Sequence, residues 1–287
     1  MPRTAHVASR LLLSLLLGSG AVSCGGAADG ACNGHRELCE RRYDEVAYAT
    51  THNAHAAAEY RFAPPNQRSG LTQQLEDGVR GFMLDTYLDD RTAAPALCHG
   101  ACAFGRYPLV DGLRELNDFL DTHPREVITI IFETYLAADL TLASFEESGL
   151  LARTYAHTAG EPWPTLGEMV AADTRVVVFT DRDGGTYDWY MDVWEHAWET
   201  HYAATTPADF SCDPNRGDTA NPLFIFNHFL TAPFASEALS EMVNHNPFLI
   251  ERAEGCADET GDFPNFITVD FYEIGDVLEV TETLNGF

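Results

Sequence analysis

The sequence predicts a single α/β domain folded as a distorted or incomplete TIM-type (β/α) barrel. Three observations carry that expectation. Short β-type runs alternate with helical patterns, the order that lays parallel strands in one sheet with helices crossing over them. No glycine-rich phosphate loop follows the first strand, which removes the main argument for a doubly wound open sheet. No repeat, low-complexity run or linker divides the 287 residues, and one large domain can bury a core of that length.

The start of the chain stands apart from the barrel. Arg3 and Arg10 precede the apolar run LLLSLLL at 11–17, followed by small residues and Cys24. A basic start, a short apolar run and small residues predict a secretory signal peptide over 1–23, too short to anchor across a bilayer. The stretch AVSC followed by Gly25 and Gly26 is a loose lipobox. The expected destinations are therefore secretion or lipid anchoring through Cys24 at a bacterial cell envelope. A disulfide-containing leader is expected over 24–42, and the barrel over 43–287.

Candidate strands are 45–51, 79–87, 95–99, 126–133, 175–181, 222–228 and 265–271, with helices over 69–78, 109–124 and 165–173. The helix from Leu109 repeats apolar residues at 109, 110, 113, 116, 119 and 120, one face of a 3.6-residue period. Pro124 closes it, because proline cannot supply the next backbone donor.

Seven cysteines are present. With Cys24 set aside, proximity in sequence pairs Cys32 with Cys39 and Cys98 with Cys102, leaving Cys212 with Cys256; six cysteines allow 15 connectivities. Such usage fits an oxidising compartment. The net charge is −27 and all 17 basic residues are arginine. That balance excludes nucleic acid as a partner and favours divalent cations. A monomer is expected. No basic amphipathic helix offers a membrane contact; the aromatic stretch at 187–198 is either such a contact or core packing.

In barrels of this class, chemistry sits where strands end. Those ends carry His52 and Asn53, Asp85, His99, Glu133, Asp181, His228 and Asp270. Alternation puts Met83 and Asp85 on one strand face, Ile131 and Glu133 on another, and Thr268 and Asp270 on a third. A single acid at a strand end is usually a turn former; two histidines, an amide and three carboxylates at different ends are a constellation. Two imidazoles suit a phosphodiester, one taking a proton from the attacking oxygen and one giving a proton to the leaving oxygen. Hard oxygen ligands from Asn, Asp and Glu suit Ca²⁺ rather than zinc. His228 and Arg216 are candidates for substrate contact, and His55 is read as a surface residue.

The stretches YATTHNAHA, QQLEDGVRGFMLDTY, LCHG and FLDTHPREVITIIFE, in that order, resemble the X-domain region of the phosphatidylinositol-specific phospholipase C superfamily. Later segments resemble its secreted phosphodiesterase branch. The resemblance implies cleavage of the bond between an inositol phosphate and diacylglycerol. It assigns His52 and His99 as the acid–base pair and Asp270 as the residue orienting His52. Asn53, Asp85 and Glu133 fall at the positions of a calcium site. Met83 stands where many members carry a further acid. Other phosphodiesters (a glycerophosphodiester, a sphingolipid or a lipid-linked glycan) and a non-catalytic binding role on the same barrel are the competing readings.

Overall fold

The computed structural model describes Met1 and residues 30–287; the predicted signal peptide beyond Met1 and Cys24 lie outside the described residues. The strands are β1 (Tyr48–Thr51), β2 (Gly81–Leu88), β3 (Pro95–Leu97), β4 (Tyr107–Pro108), β5 (Ile128–Thr134), β6 (Thr154–Tyr155), β7 (Val176–Thr180), β8 (Tyr190–Asp192), β9 (Ala197–Thr200), β10 (Pro214–Arg216), β11 (Leu223–Asn227) and β12 (Pro264–Val269). The helices are α1 (Leu71–Asp77), α2 (Leu109–Thr122), α3 (Ala138–Ser148), α4 (Leu166–Ala172), α5 (Val193–His196), α6 (Glu237–Val243), α7 (Phe248–Thr260) and α8 (Val277–Leu284).

The parallel strands β1, β2, β5, β7, β8, β9, β11 and β12 follow one another around the barrel in chain order. Each pairs with the next, and β12 pairs with β1, so the ring closes everywhere except between β8 and β9. That open seam makes the barrel incomplete, as the sequence predicts. Where β1 meets β2 the backbones come close: a Cβ at Gly81 would overlap the Thr50 side chain.

Alternation along the strands divides the core in two. Tyr48, Ile131, Val177, Phe179, Ile225 and Phe266 point inward and fill the barrel. Phe82, Ile130, Phe132, Val178, Phe224 and Val269 point outward beneath the helices. Each such buried side chain contributes roughly 1.5–3 kcal/mol relative to exposure. Cys32, Leu38 and Tyr43, from the segment ahead of β1, join the inner cluster. The Tyr43 hydroxyl lies 2.5 Å from Thr129 Oγ1 at the start of β5, so this segment floors the barrel.

All three expected disulfides form: Cys32–Cys39, Cys98–Cys102 and Cys212–Cys256. The structure differs from the expected elements at two places that matter for the site. The 95–99 run is not a barrel strand; β3 lies antiparallel on β2, with Leu97 opposite Thr86, and ends before His99. Strands β8 and β9 were not expected, because the stretch around them mixes Trp, Glu and His with no glycine or proline to mark its turns. None of its aromatics is exposed: Tyr190 and Trp198 are wholly buried in the core, and Trp194 is half-buried.

Candidate active site

The C-terminal strand ends share one mouth, where a cavity of about 340 Å³ opens between His52, Asn53, Asp85, Glu133, Glu199 and Arg216. The site begins at two neighbouring strand ends that turn in the same way. After β1, His52 donates its backbone N–H to Val269 (3.0 Å), and Asn53 enters the left-handed region at φ 47°. Asparagine tolerates that conformation well. After β12, Asp270 is followed by Phe271 at φ 48°, a costly conformation for a bulky residue. The Phe271 N–H bonds to the Asn66 carbonyl at 2.8 Å, which holds the turn.

These turns set His52 against Asp270, with Nδ1–H donating to Oδ1 at 3.0 Å. Asp270 is 2% exposed, and Asn66 Nδ2 donates to the same oxygen at 2.8 Å. Its backbone carbonyl accepts from Asn244 Nδ2 (2.8 Å) and Ser240 Oγ (3.1 Å). The His52 ring stacks on Phe229, centroids 3.8 Å apart. The imidazole is thus fixed in tautomer and in plane, with Nε2 turned toward the cavity.

His99 arrives from the loop between β3 and β4, not from a strand end. Its Nε2 stands 3.3 Å from Asn53 Nδ2, and His52 Nε2 stands 3.1 Å from the same nitrogen. Two ring nitrogens from separate elements therefore meet at one amide. Burial, and secondarily the neighbouring His52, holds the His99 pKa below the ordinary histidine value.

Beside Asn53, Asp85 on β2 and Glu133 on β5 are register partners. Asp85 is buried, and its pKa is pushed well up by burial first, then by Glu133 and Asp181. Glu133 is exposed and accepts from the Tyr135 hydroxyl at 2.6 Å. The Asn53 amide has two orientations here. With Nδ2 toward the histidines, its oxygen faces the Asp85 carboxylate. Turned over, Nδ2 donates to Asp85 Oδ1 (3.0 Å) and Oδ2 (3.3 Å), and, when His52 carries a proton on both ring nitrogens, the amide oxygen accepts from Nε2–H at 3.1 Å. The first gathers oxygens and calls for a cation between them; the second satisfies the same groups without one. Among the described residues, no three His, Cys, Asp or Glu side chains converge to hold a metal. The oxygen set at Asn53 is one amide and two carboxylates, with the Met83 thioether also on the cavity wall.

Arg216 reaches the opposite wall. Its guanidinium lies between the rings of Trp194 and Tyr202, 4.5 and 4.8 Å from the centroids, and Nε donates to Glu199 Oε1 at 2.6 Å. Glu199 is buried and also accepts from Asn215 Nδ2 (2.8 Å) and Asn227 Nδ2 (3.0 Å). Sequence reasoning missed Glu199 and Asn227. Asn227 was within reach: inward alternation on β11 runs Ile225, Asn227, one residue before the histidine that drew attention.

His228 is not brought to the cavity. It points the other way and is wholly buried; its Nε2–H donates to Val243 O (2.8 Å), and Nδ1 accepts from Arg252 Nη1 (3.1 Å). Burial drives its pKa down to about 3. His55 is not a surface residue either. Both of its ring nitrogens are buried without a hydrogen bond, and burial lowers its pKa to about 3, with His99 adding to the effect.

Comparison with known proteins identifies the family. The PI-PLC X family model, described as PI-PLC X 1, matches residues 38–285. A PI-PLC X domain-containing protein of Arabidopsis thaliana is 32% identical over 279 residues, covering 85% of this chain and 62% of that protein. An uncharacterized secreted protein of Arthroderma benhamiae is 27% identical over 285 residues, covering 89% of this chain and 64% of that protein. The chain therefore spans under two thirds of either relative. PI-PLC X domain-containing protein 1 of the same species is 27% identical over 282 residues, covering 91% of both. In fold, the chain resembles a pentafluoro-Phe-incorporated phosphatidylinositol-specific phospholipase C from Staphylococcus aureus, with a TM-score of 0.56 at 14% identity over 86% of this chain and 94% of that one. This protein belongs to the PI-PLC X-domain family.

Proposed function

We propose that this chain is an exported phosphodiesterase that cleaves a phosphatidylinositol-like lipid to diacylglycerol and an inositol phosphate, with Ca²⁺ as its cofactor. One observation carries the reading. The Nε2 atoms of His52 and His99 meet at a single amide, and a buried aspartate stands behind the first.

His52 Nε2 takes the proton of the attacking oxygen: the neighbouring inositol hydroxyl, giving a cyclic phosphate, or water. Asp270 stabilises the imidazolium that results and keeps the ring in place. His99 Nε2–H gives its proton to the diacylglycerol oxygen as that P–O bond breaks. Asn53, Asp85 and Glu133 would hold the cation, with water completing the set where Met83 supplies no oxygen. When bound, it supplies positive charge for the phosphoryl oxygens. The buried Asp85 carboxylate, faced by the Asn53 oxygen in one amide orientation, fits such a cation.

Head-group recognition falls to the opposite wall. Glu199, Asn227 and the stacked Arg216 offer the donors and acceptors that a polyol phosphate needs. Tyr135, Tyr202 and Phe234 are 45, 46 and 60% exposed on loops beyond β5, β9 and β11, the mouth side of the barrel. They support contact with a lipid surface. Three disulfides accord with export.

The test is release of inositol phosphate from labelled phosphatidylinositol, with Ca²⁺ and with chelator. Calcium-stimulated release that disappears in His52→Ala and His99→Ala supports the proposal. Activity that survives both substitutions rejects the mechanism. Turnover confined to a glycerophosphodiester or a sphingolipid rejects the substrate.

A further inference from the structure

The two histidines are held by different means. His52 has Asp270 on Nδ1 and Phe229 against its face. His99 has one polar contact on its ring, the 3.3 Å approach to an amide that it shares with His52. It also lies outside the barrel strands, on a segment with no regular structure.

What restrains that segment is covalent. Cys98 and Cys102 form a disulfide whose short loop encloses His99, Gly100 and Ala101. Cys98 is wholly buried, and its N–H bonds to the Asp85 carbonyl at 3.2 Å, tying the loop to the strand that carries Asp85. Gly100 takes φ +69°, the left-handed turn that lets so short a loop close. Beyond Cys102, the Phe104 carbonyl accepts the Ala63 N–H at 2.8 Å. A loop this short, pinned at both ends and closed by a covalent bond, retains few conformations.

We infer that the Cys98–Cys102 disulfide is the positioning device for His99, required for proton donation to the leaving oxygen and dispensable for the rest of the machinery. The inference rests on the reading of His99 as general acid. In that step the P–O bond to the alcohol breaks, its electron pair goes to the departing oxygen, and His99 Nε2–H supplies that oxygen's proton. A leaving group that departs stably as an anion needs no such proton. Loss of the tether therefore penalises substrates according to their leaving group, which a general loss of structure does not.

The experiment compares wild type, Cys98→Ala/Cys102→Ala, His99→Ala and Gly100→Ala on phosphatidylinositol and on myo-inositol 1-(4-nitrophenyl phosphate), both with Ca²⁺. Cys32→Ala/Cys39→Ala controls for loss of a disulfide remote from the cavity. The cysteine double variant is expected to lose about a hundredfold in kcat on the lipid with KM little moved, while the nitrophenyl ester stays within about threefold. Gly100→Ala leaves the disulfide intact and strains the loop; it is expected to shift activity in the same selective way by several-fold. Amide exchange read by mass spectrometry is expected to accelerate over 99–105 in the double variant. Equal losses on both esters, or no loss on the lipid, overturn the inference, as does unchanged exchange over 99–105. If His99→Ala matches wild type on the lipid, or wild type turns over neither ester, the functional reading fails, and the catalytic purpose of the tether fails with it. The exchange result then still reports whether the disulfide orders the loop.

Discussion

Asp85 and Glu133 sit side by side in register on parallel strands, both facing the cavity, with no arginine among the described residues bonded to either carboxylate. Like charges so placed repel, and a divalent cation relieves the repulsion. Asp85→Asn and Glu133→Gln are each expected to weaken Ca²⁺ binding about tenfold or more. Calorimetric titration with Ca²⁺ alone measures this without reference to turnover. Wild-type affinity in both variants would remove the cation from the proposal.

Asp270→Asn preserves shape and removes the charge behind His52. The expected result is a fall in kcat of about 10²–10⁴, by the logic of orienting carboxylates in acid–base pairs, with an unchanged circular dichroism spectrum. Asn66→Ala, one step further out, is expected to cost about tenfold. Steady-state kinetics on phosphatidylinositol decides both.

Acid should unfold this protein partly through two histidines kept neutral in the interior. His55 and His228 have folded pKa values of about 3, against 6.5 for a free side chain. Between those values the unfolded chain binds the extra protons, so stability is full above pH 6.5 and declines as pH falls toward 3. The loss is up to about 1.4 kcal/mol per pH unit for each histidine. Urea unfolding from pH 7 to pH 4.5 measures the slope, and His55→Phe, which removes the titrating ring, should make it shallower. A slope unmoved by that change contradicts the assignment.

Glu199 accepts three side-chain donors at the far wall, including the stacked Arg216. Glu199→Gln replaces an acceptor-only group with one that must present a donor to some of them. The expected loss in kcat/KM is about ten- to a hundredfold, carried by KM if the wall binds the head group. A pure kcat effect would reassign Glu199 to the chemistry.

Phe234 stands 60% exposed on the loop after β11. Phe234→Ser is expected to lower activity on lipid vesicles about tenfold, since one buried phenyl ring is worth about 1.5–3 kcal/mol, and to leave a short-chain monomeric substrate unaffected. Parallel assays on the two substrates check it. Equal effects would indicate a packing defect.

Four groups of the site were readable from sequence because they obey one rule: polar residues at the ends of apolar strands, pointing inward by alternation. His52, Asp85, Glu133 and Asp270 follow it, while Asn53, next to His52, is turned in by the left-handed conformation after β1, and the structure gathers all five at one mouth. His228 also ends a strand, yet lies one residue out of phase with the inward face, so it packs into the outer core. His99 lies near the site for a reason alternation does not encode, a loop closed by a disulfide. Glu199 was hidden because β9 follows a four-residue helix with no glycine or proline to announce either element. The burial of His55 depends on a turn packed against Phe62, a contact visible only once the chain is folded.

The open seam, where β10 rather than β8 pairs with the free edge of β9, lies across the barrel from β12, β1 and β2, which carry or lead into Asp270, His52 and Asp85. A ring cut at one point is stiff opposite the cut and compliant beside it, because no ladder of hydrogen bonds crosses there to resist spreading. The two halves of the cavity wall therefore have different mechanics. His52, Asp85, Glu133 and Asp270 rest on the continuous arc. Trp194 and the Arg216–Glu199 pair line the yielding arc, which, under the proposed function, would give way to a head group larger than the resting cavity without disturbing His52 and Asp270.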